Sequence, residues 1–232
     1  LACDAGAQFV MTPENSTLIG ANRADTLAKA QPEENHESLQ AMQALARACG
    51  IWFLLGSIHV KVEPERNANR SYLIDPSGAI VASYDKIHMF DVQLASGETY
   101  RESSTFRPGD KTVIAQTPWG KLGMTICYDL RFPYLYRDLA HAGAEMLSIP
   151  SSFTVPTGRA HWHTLMRARA IETGCYVFAP AQVGSHAGNR KTYGHSVVVA
   201  PWGEVIADAG DAGPGFVTAE IDMAKVAEAR QA

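Results

Sequence analysis

Apolar positions recur along this chain with the periods of both strands and helices. The first half runs through the strand-like AQFVMTP, the helix-like SLQAMQALARACG, the apolar IWFLLGSIHV and the alternating SYLIDPSGAIVASYDK. In the helix-like segment the apolar side chains Leu39, Met42, Leu45 and Ala46 share one face, and Gly50 follows as a C-terminal cap. This alternation of strands and helices predicts a mixed α/β domain.

Two turn sequences predict β-hairpins, so the sheets should not be purely parallel. IDPSG separates SYLI from AIVASY, and TPWG separates KTVIAQ from KLGMTICYD. After Pro133 the pattern predicts a helix (YLYRDLAHAG), a strand (AEMLSIP), a second helix (RAHWHTLMRARAIETG), three strands (YVFAPAQV, GHSVVVAP and EVIADA) and a closing FVTAEID. The tract 97–110 is polar and rich in turn formers, and a loop of this length in a compact domain is usually functional or mobile.

Composition and charge narrow the class of protein. Of the 232 residues, 46% are hydrophobic and 19% charged, and no linker or repeat divides them, so we predict a single domain over residues 1–232. No run of Lys or Arg offers an electrostatic footprint for nucleic acid or an anionic membrane. No apolar stretch approaches the roughly 18 to 20 residues of a membrane-spanning helix. We expect a cytoplasmic protein whose partners are small molecules and other subunits.

Three apolar runs end in an ionisable residue: QFVMTPE at Glu14, AIVASYDK at Lys86 and LGMTIC at Cys127. Ligands of α/β sheets bind outside the carboxyl ends of the strands, so these residues can converge although they are far apart in sequence. Each also has a plainer interpretation. Cys127 could be a buried structural cysteine, Glu14 a carboxylate in the first turn of a helix, and Lys86 a surface lysine that closes a strand.

The residues after Cys127 favour a nucleophile. The polar sequence YDLRFP follows at once, as it does at a strand-turn-helix elbow, which presents a nucleophile and leaves a backbone N–H for an oxyanion. A cysteine nucleophile needs a base, and its thioester intermediates need a positive partner, so the three residues together indicate catalysis more strongly than any one alone. The cysteines form no CxxC pair, which argues against a disulfide framework or a zinc knuckle.

The histidines are weaker candidates. His161 and His163 are two residues apart and point to different faces of a helix, which suits a metal poorly, so no metal site is predicted. His195 either serves a Cys-His enzyme or is a hydrogen-bonded structural residue at the start of a strand.

With Glu14, Lys86 and Cys127 in this order, the sequence closely resembles the nitrilase superfamily of carbon-nitrogen hydrolases over nearly its whole length. It is most similar to the Nit branch, the relatives of omega-amidase and deaminated glutathione amidase. The matching motifs are TPENS, YDKIHMFDV, YRESSTFRPGD, CYDLRFP, HWHTLMRARAIETGCYV and YGHSVVVAPWGEV. The resemblance implies a four-layer α-β-β-α sandwich with mixed sheets.

The resemblance also implies roles for individual residues. Glu14 would be the general base, Lys86 the cation that stabilises the oxyanion and Cys127 the nucleophile. Glu102 matches an additional active-site glutamate that positions the lysine, and the backbone N–H of Tyr128 would complete the oxyanion hole.

The activity implied by the resemblance is that of a metal-independent thiol amidase without a cofactor. It would hydrolyse the terminal amide of a small carboxylate-bearing substrate, such as deaminated glutathione or the omega-amide of a 2-oxo acid, through a cysteine thioester. Tyr128 stands where many nitrilases and carbamoyl-amide hydrolases have Trp, which disfavours nitrile hydrolysis. The alternatives are a nitrilase or N-carbamoyl-amide hydrolase, and a non-catalytic homologue that binds metabolites.

Substrate binding and assembly complete these expectations. A carboxylate-bearing substrate needs a cation and N–H donors at the pocket mouth, and Arg131, Ser152 and Phe153 follow strand ends near Cys127. Arg131 could equally be a structural arginine paired with Asp129 or Asp138. The family pairs sandwiches across a helical face, so we expect a homo-oligomer. The family also has segments before and after the ends of this sequence, so we expect some terminal residues of the full protein to lie outside it.

Overall fold

The computed structural model describes residues 2–93, 97 and 99–231. The strands are β1 (Phe9–Met11), β2 (Trp52–Glu63), β3 (Arg66–Ile74), β4 (Ile80–Asp85), β5 (Asp91–Gln93), β6 (Thr99–Arg101), β7 (Val113–Thr117), β8 (Gly120–Met124), β9 (Met146–Ser148), β10 (Tyr176–Ala179), β11 (Val183–Ser185), β12 (Lys191–Tyr193), β13 (Val197–Val199) and β14 (Val205–Asp208). The helices are α1 (Arg23–Lys29), α2 (Glu37–Cys49), α3 (Pro133–His141), α4 (Val155–Thr173) and α5 (Ala224–Gln231).

Two mixed sheets form the centre of the fold. Within the described residues, the first has the strand order β1-β2-β3-β4 and the second β14-β13-β10-β9-β8-β7. In the first sheet β1 runs parallel to β2, whereas β2, β3 and β4 are antiparallel. In the second, β8, β9 and β10 are parallel and the outer pairs antiparallel. The predicted mixed character of the sheets is confirmed.

The two central strands of the first sheet, β2 and β3, are largely buried on both faces. Successive residues of β2 enter different cores: Phe53 and Leu55 pack in the core that includes α2, and Leu54 packs in the larger core between the sheets. In β3, Tyr72 and Leu73 divide in the same way. Side chains of a strand alternate between faces, so burial on both sides explains why the segment IWFLL is apolar at every position.

The outer face of the second sheet is covered by α3 and α4. Leu139 of α3 and Trp162 of α4 are fully or nearly fully buried in the same core as Leu122 and Val177 of the sheet. From one side to the other the layers are α2, the first sheet, the second sheet, and α3 with α4. The predicted four-layer α-β-β-α sandwich is thus confirmed.

Several predicted elements lie where the sequence placed them. Gly50 ends α2 in the left-handed conformation, with φ of 64°, as a C-cap glycine does. The IDPSG turn pairs Ile74 with Ile80, and the TPWG turn pairs Thr117 with Gly120. None of the helices in the described ranges is long and apolar enough to cross a membrane.

Other elements differ from the sequence-based expectation. Helix α4 begins at Val155 rather than at Arg159, because Thr154 already accepts the first helical hydrogen bond from Gly158. The tract 97–110 is not one loop: β6 pairs with β5, and a 3₁₀ turn follows at Glu102–Ser104. Glu98 lies outside the described residues. The closing FVTAEID forms no strand, and α1, α5 and the β11–β12 ribbon were not predicted.

Candidate active site

One cavity of about 460 Å³ gathers every predicted site residue. Glu14 follows β1, Lys86 follows β4 and Cys127 follows β8, so the predicted convergence of strand ends occurs. Glu102 reaches the cavity from the 3₁₀ turn after β6. The remaining predicted residues in the cavity wall are Tyr128, Arg131, Ser152 and Phe153.

Cys127 lies in a sharp turn directly after the second sheet. Its φ is +49°, an unfavourable value for a residue other than glycine. Its N–H donates to the carbonyl of Pro150 at 3.0 Å, and a 3₁₀ turn runs from Cys127 to Arg131. The Tyr128 N–H belongs to the first turn, where helical geometry supplies no internal acceptor. The turn therefore has the form of the predicted elbow.

The buried carboxylate of Asp129 anchors this turn. It accepts hydrogen bonds from the Tyr84 hydroxyl at 2.7 Å, the His88 N–H at 3.0 Å and the Ile126 N–H at 2.9 Å. The His88 ring nitrogen Nδ1 lies 2.7 Å from the same carboxylate. Sequence analysis considered Asp129 only as a partner for Arg131. Its bonds join β4, the segment after it and the strand end that precedes Cys127.

We expect Asp129→Ala to lower the free energy of unfolding by about 3 kcal/mol or more, because several buried donors lose their acceptor at once. The value of kcat should fall more than KM rises, since the turn that presents Cys127 loses its support. Urea denaturation and steady-state kinetics measure the two effects. Asp138→Ala, on the exposed side of α3, is the matched control and should change stability by no more than about 0.5 kcal/mol. Equal stability of the two variants would contradict the anchoring role.

Lys86 is held between two glutamates. Its Nζ lies 3.0 Å from Glu14 Oε1, and 2.9 and 2.8 Å from the two carboxylate oxygens of Glu102. Lys86 and Glu14 are each only 2% exposed. Burial lowers the pKa of the ammonium, but the charges of Glu102 and Glu14 outweigh it and hold that pKa well above its usual range. Lys86 therefore stays a cation inside the protein.

Glu14 is an ionised carboxylate at neutral pH. Burial raises its pKa, but the charges of Lys86 and Arg190 together with a hydrogen bond from Cys127 bring the pKa below its ordinary value. For Cys127 the effects that raise the pKa outweigh those that lower it. Burial raises the pKa of the thiol, the charge of Glu14 raises it further, and the opposing effects of Lys86 and the Ser152 backbone are smaller. A protonated thiol thus faces an ionised base.

Sequence analysis missed two amide side chains that position this base. Asn69 Nδ2, from the buried strand β3, donates to Glu14 Oε1 at 3.0 Å and to Glu102 Oε1 at 3.3 Å. Gln182 Nε2 donates to the backbone carbonyls of Glu14 and Asn15 at 3.0 and 3.1 Å. Polar residues within the buried run RNANRSYLI were the available signal for Asn69, since a buried amide requires partners.

A glycine lets the segment that carries Glu14 lie directly on β2. The Gly56 N–H donates to the Thr12 hydroxyl at 3.0 Å. A Cβ added at Gly56 would lie 1.9 Å from the Thr12 carbonyl oxygen and 2.5 Å from that of Pro13, distances at which no side chain can exist. The backbone therefore approaches more closely here than any other residue would allow.

The predicted substrate-binding residues lie at one side of the cavity. Arg131 Nη2 is 3.2 Å from His161 Nδ1, and its guanidinium lies 5.7 Å from the centre of the Phe153 ring. The Ser152 carbonyl accepts from Arg190 Nη2 at 2.8 Å. Ser152 Oγ and Arg190 Nε are buried without a hydrogen-bond partner among the described residues.

The cavity wall is rich in arginine. Arg23, Arg101, Arg131 and Arg190 all line it, whereas the carboxylates of Glu14 and Glu102 are already paired with Lys86. The polar contact given for Arg131 within the described part of the chain is with His161 and not with Asp129 or Asp138, and the Asp129 carboxylate is taken up by the bonds that anchor the turn. Guanidinium groups bind carboxylates strongly, so the cavity suits an anionic ligand.

Among the described residues, neither His59 nor His195 is hydrogen-bonded to Cys127. His59 is buried beside Asn15, with its Nε2 2.7 Å from Asn15 Oδ1, and burial lowers its pKa to about 4. It is therefore neutral and structural at physiological pH. His195 does not line the cavity, and its Nδ1 lies 3.0 Å from Asp208. The acid-base group available to the thiol is Glu14.

Comparisons with known proteins agree with this geometry. The family profile of carbon-nitrogen hydrolases matches residues 1–231. A relative named deaminated glutathione amidase, from Yersinia enterocolitica, is 45% identical over 212 residues, which are 90% of this chain and 74% of the relative.

Two solved structures extend the comparison. Nit3 of Saccharomyces cerevisiae, described as a member of branch 10 of the nitrilase superfamily, superposes with a TM-score of 0.85 at 31% identity, over 97% of this chain and 80% of its own. A mutant amidase from Nesterenkonia sp. AN1, with acrylamide added to its active-site cysteine, gives a TM-score of 0.79 at 26% identity, over 92% and 80% of the two chains.

Proposed function

We propose, from the premise that this chain belongs to the carbon-nitrogen hydrolase family, that it hydrolyses a terminal amide of a small carboxylate-bearing molecule through a thioester on Cys127. The observation that carries this proposal is the convergence of the Cys127 thiol, the Glu14 carboxylate and the Lys86 ammonium in one cavity, with Lys86 Nζ 3.0 Å from Glu14 Oε1. A nucleophile, a base and a cation in one cavity are what acyl transfer requires.

The first half of the reaction forms the thioester. Because the pKa of the thiol is raised, Glu14 takes its proton as the sulfur attacks the amide carbon, and a free thiolate is not stored beforehand. The C–S bond forms and the carbonyl becomes an oxyanion, which the Lys86 ammonium and the Tyr128 N–H stabilise. Each such donor typically contributes about 10²- to 10³-fold in rate. The protonated Glu14 then gives its proton to the leaving nitrogen, and ammonia departs.

The second half releases the acid. Glu14, again ionised, takes a proton from a water molecule that attacks the thioester carbon. The oxyanion forms at the same donors, the C–S bond breaks, and the sulfur regains the proton from Glu14. Lys86 and Asn69 hold the carboxylate in one orientation through both halves, with donor distances of 3.0 Å each. The steps need only side chains, backbone groups and water.

The substrate class is inferred from the cavity wall and from relatives. The volume of the cavity falls within the range of small-molecule sites, and four arginines line the cavity. Relatives that are 41–45% identical carry the name deaminated glutathione amidase, and the amide named there is our preferred substrate. Omega-amides of 2-oxo acids share its carboxylate and terminal amide.

Ammonia release from a panel of substrates tests the proposal. The panel pairs each carboxylate-bearing amide with a neutral amide of equal length, and includes a nitrile and a carbamoyl amine. We expect the carboxylate to raise kcat/KM by about 10-fold or more, since a charge-assisted hydrogen bond contributes about 1.5 to 3 kcal/mol. Arg131→Gln should narrow that difference. Activity on the nitrile or carbamoyl amine alone would favour those chemistries, and no release by the folded protein would favour a binding protein.

That the protein forms a homo-oligomer and that it works in the cytoplasm both stay predictions. A monomeric mass at micromolar concentration in solution would contradict the first.

A further inference from the structure

Two histidines and an aspartate meet at one end of the β13–β14 hairpin. His163 Nε2 lies 2.9 Å from Asp208 Oδ2, and His195 Nδ1 lies 3.0 and 3.2 Å from the two oxygens of the same carboxylate. One ligand atom from each residue falls within 4.8 Å of the others. None of the three lines the cavity that holds Cys127.

The three residues come from elements that the fold fixes independently. His163 is on α4, Asp208 is the last residue of β14, and His195 precedes β13, whose Val197 pairs with Asp208. His161, two residues earlier on α4, faces Arg131 instead. The sequence argument that His161 and His163 point to different faces holds, but the partners of His163 lie 32 and 45 positions further along the chain.

The backbone presents His195 in an unusual conformation. Its φ is +57°, in the left-handed region that few residues other than glycine adopt. Its N–H donates to the Gly210 carbonyl at 2.8 Å, and its own carbonyl accepts from Trp162 Nε1 at 2.8 Å. Trp162 is fully buried and adjacent to His163. The same turn of α4 thus holds the backbone of one histidine and supplies the other.

The surrounding contacts also orient the side chains. The Gly210 N–H donates to Asp208 Oδ1 at 2.8 Å, which fixes the carboxylate. The Tyr193 ring stacks on His195 with ring centres 4.5 Å apart. The bond from Gly210 is a hydrogen bond to a ligand from outside the ligand set, and such bonds fix the direction of metal-binding groups.

We propose that His163, His195 and Asp208 bind a divalent transition-metal ion of the zinc class. Such ions take imidazole nitrogen and carboxylate oxygen at about 2.0 to 2.2 Å, which separates tetrahedral ligand atoms by about 3.4 Å. The nitrogen-oxygen distances of 2.9 to 3.2 Å are those of direct hydrogen bonds, and an ion that replaces these bonds would move the ligand atoms slightly apart. The side chains are 22 to 35% exposed, so an ion can enter from solvent and keep an open position for water.

The bound ion would join α4 to the β13–β14 hairpin. Both elements belong to the outer half of the sandwich and carry none of the groups assigned to the amide chemistry. The ion therefore acts on stability and not on catalysis, and this inference stands whether or not the proposed function is correct.

Zinc binding to the Cys127→Ala protein tests the site, because this background removes the active-site thiol as a competing ligand. Calorimetric titration with ZnCl₂ should show one ion per chain. His163→Gln and Asp208→Asn should each weaken binding by at least about 10-fold, the lower end of what even outer contacts of metal sites contribute. His161→Gln, the same substitution on the same helix, should leave the affinity unchanged. Zinc should also raise the melting temperature of the parent but not of His163→Gln.

A second probe identifies the ligands. Co²⁺ bound at this site should give the visible absorption of a nitrogen-oxygen site without a sulfur-to-cobalt charge-transfer band, and His163→Gln should remove it. The proposal is overturned if the folded parent binds no zinc at millimolar concentration, if His163→Gln binds zinc as tightly as the parent, or if the cobalt spectrum shows sulfur ligation. Circular dichroism of each variant establishes that it is folded.

Discussion

Cys127→Ala is expected to reduce amide hydrolysis by about 10⁴-fold or more while the protein keeps its fold. Without the sulfur no thioester can form, and only the oxyanion donors and the base remain to assist direct attack by water. The loss of stability should stay within about 1 kcal/mol, because the substitution removes one atom next to an existing cavity. Ammonia release and urea denaturation measure the two quantities.

Cys175→Ala is the matched control for this experiment. Cys175 is completely buried, and its Sγ lies 3.1 Å from the Ala144 carbonyl, outside the cavity. The same substitution there should cost stability but leave kcat/KM nearly unchanged. If Cys127→Ala keeps substantial activity, or if the two variants lose activity equally, Cys127 is not the nucleophile.

Lys86→Met is expected to damage both stability and catalysis. Removing one member of a buried charge network typically costs about 3 to 5 kcal/mol, and here it leaves Glu14 and Glu102 without their shared cation. The loss of an oxyanion donor should lower kcat by about 10²- to 10³-fold. Lys61→Met, on an exposed position of β2, should change stability by no more than about 0.5 kcal/mol.

The pH dependence of stability distinguishes the loss of the Lys86 charge from a simple loss of packing. In the wild-type protein burial raises the pKa of Glu14, but the charges of Lys86 and Arg190 bring it below the ordinary 4.5. A group whose pKa is lowered on folding stabilises the protein above its ordinary pKa, and that contribution is lost as the pH falls through the folded value.

Without Lys86, the burial of Glu14, which is the largest single effect on its carboxyl group, should raise the pKa of Glu14 above 4.5. The contribution of Glu14 to the stability of the variant should then increase as the pH falls from neutral, opposite to the wild type. Urea denaturation of both proteins across the acidic range measures the two slopes. Parallel slopes would show that Lys86 does not control the ionisation of Glu14.

The sequence revealed those parts of the site that depend on local pattern. Glu14, Lys86 and Cys127 each end an apolar run, and the end of a strand is visible in a single segment. Asn69 and Asp129 could not be predicted in this way. The bond from Asn69 to Glu14 depends on the register of β3 with a segment 55 residues away, and the bonds of Asp129 depend on how the first sheet packs on the second.

The same distinction applies to the fold. The helix α2 and the two short hairpins follow from periodicity and turn residues close together in sequence. The predicted start of α4 was too late in the chain, because Pro156 lies in the first turn of the helix, where proline is well tolerated. The cluster of His163, His195 and Asp208 could not be predicted from local pattern either. Its members come together only when α4 packs on the β13–β14 hairpin.

The close backbone approach at Gly56 means that some positions around this cavity tolerate substitution and others do not. Next to Glu14 the backbone of Gly56 lies directly against the backbone of Thr12 and Pro13. No side chain fits between them, so position 56 cannot be substituted. Arg101 and Arg131 also line the cavity, and their side chains can be shortened or exchanged without disturbing the main-chain contact at Gly56. Variants of this enzyme selected for other amides should therefore accumulate changes at such side chains, and a library need not include position 56.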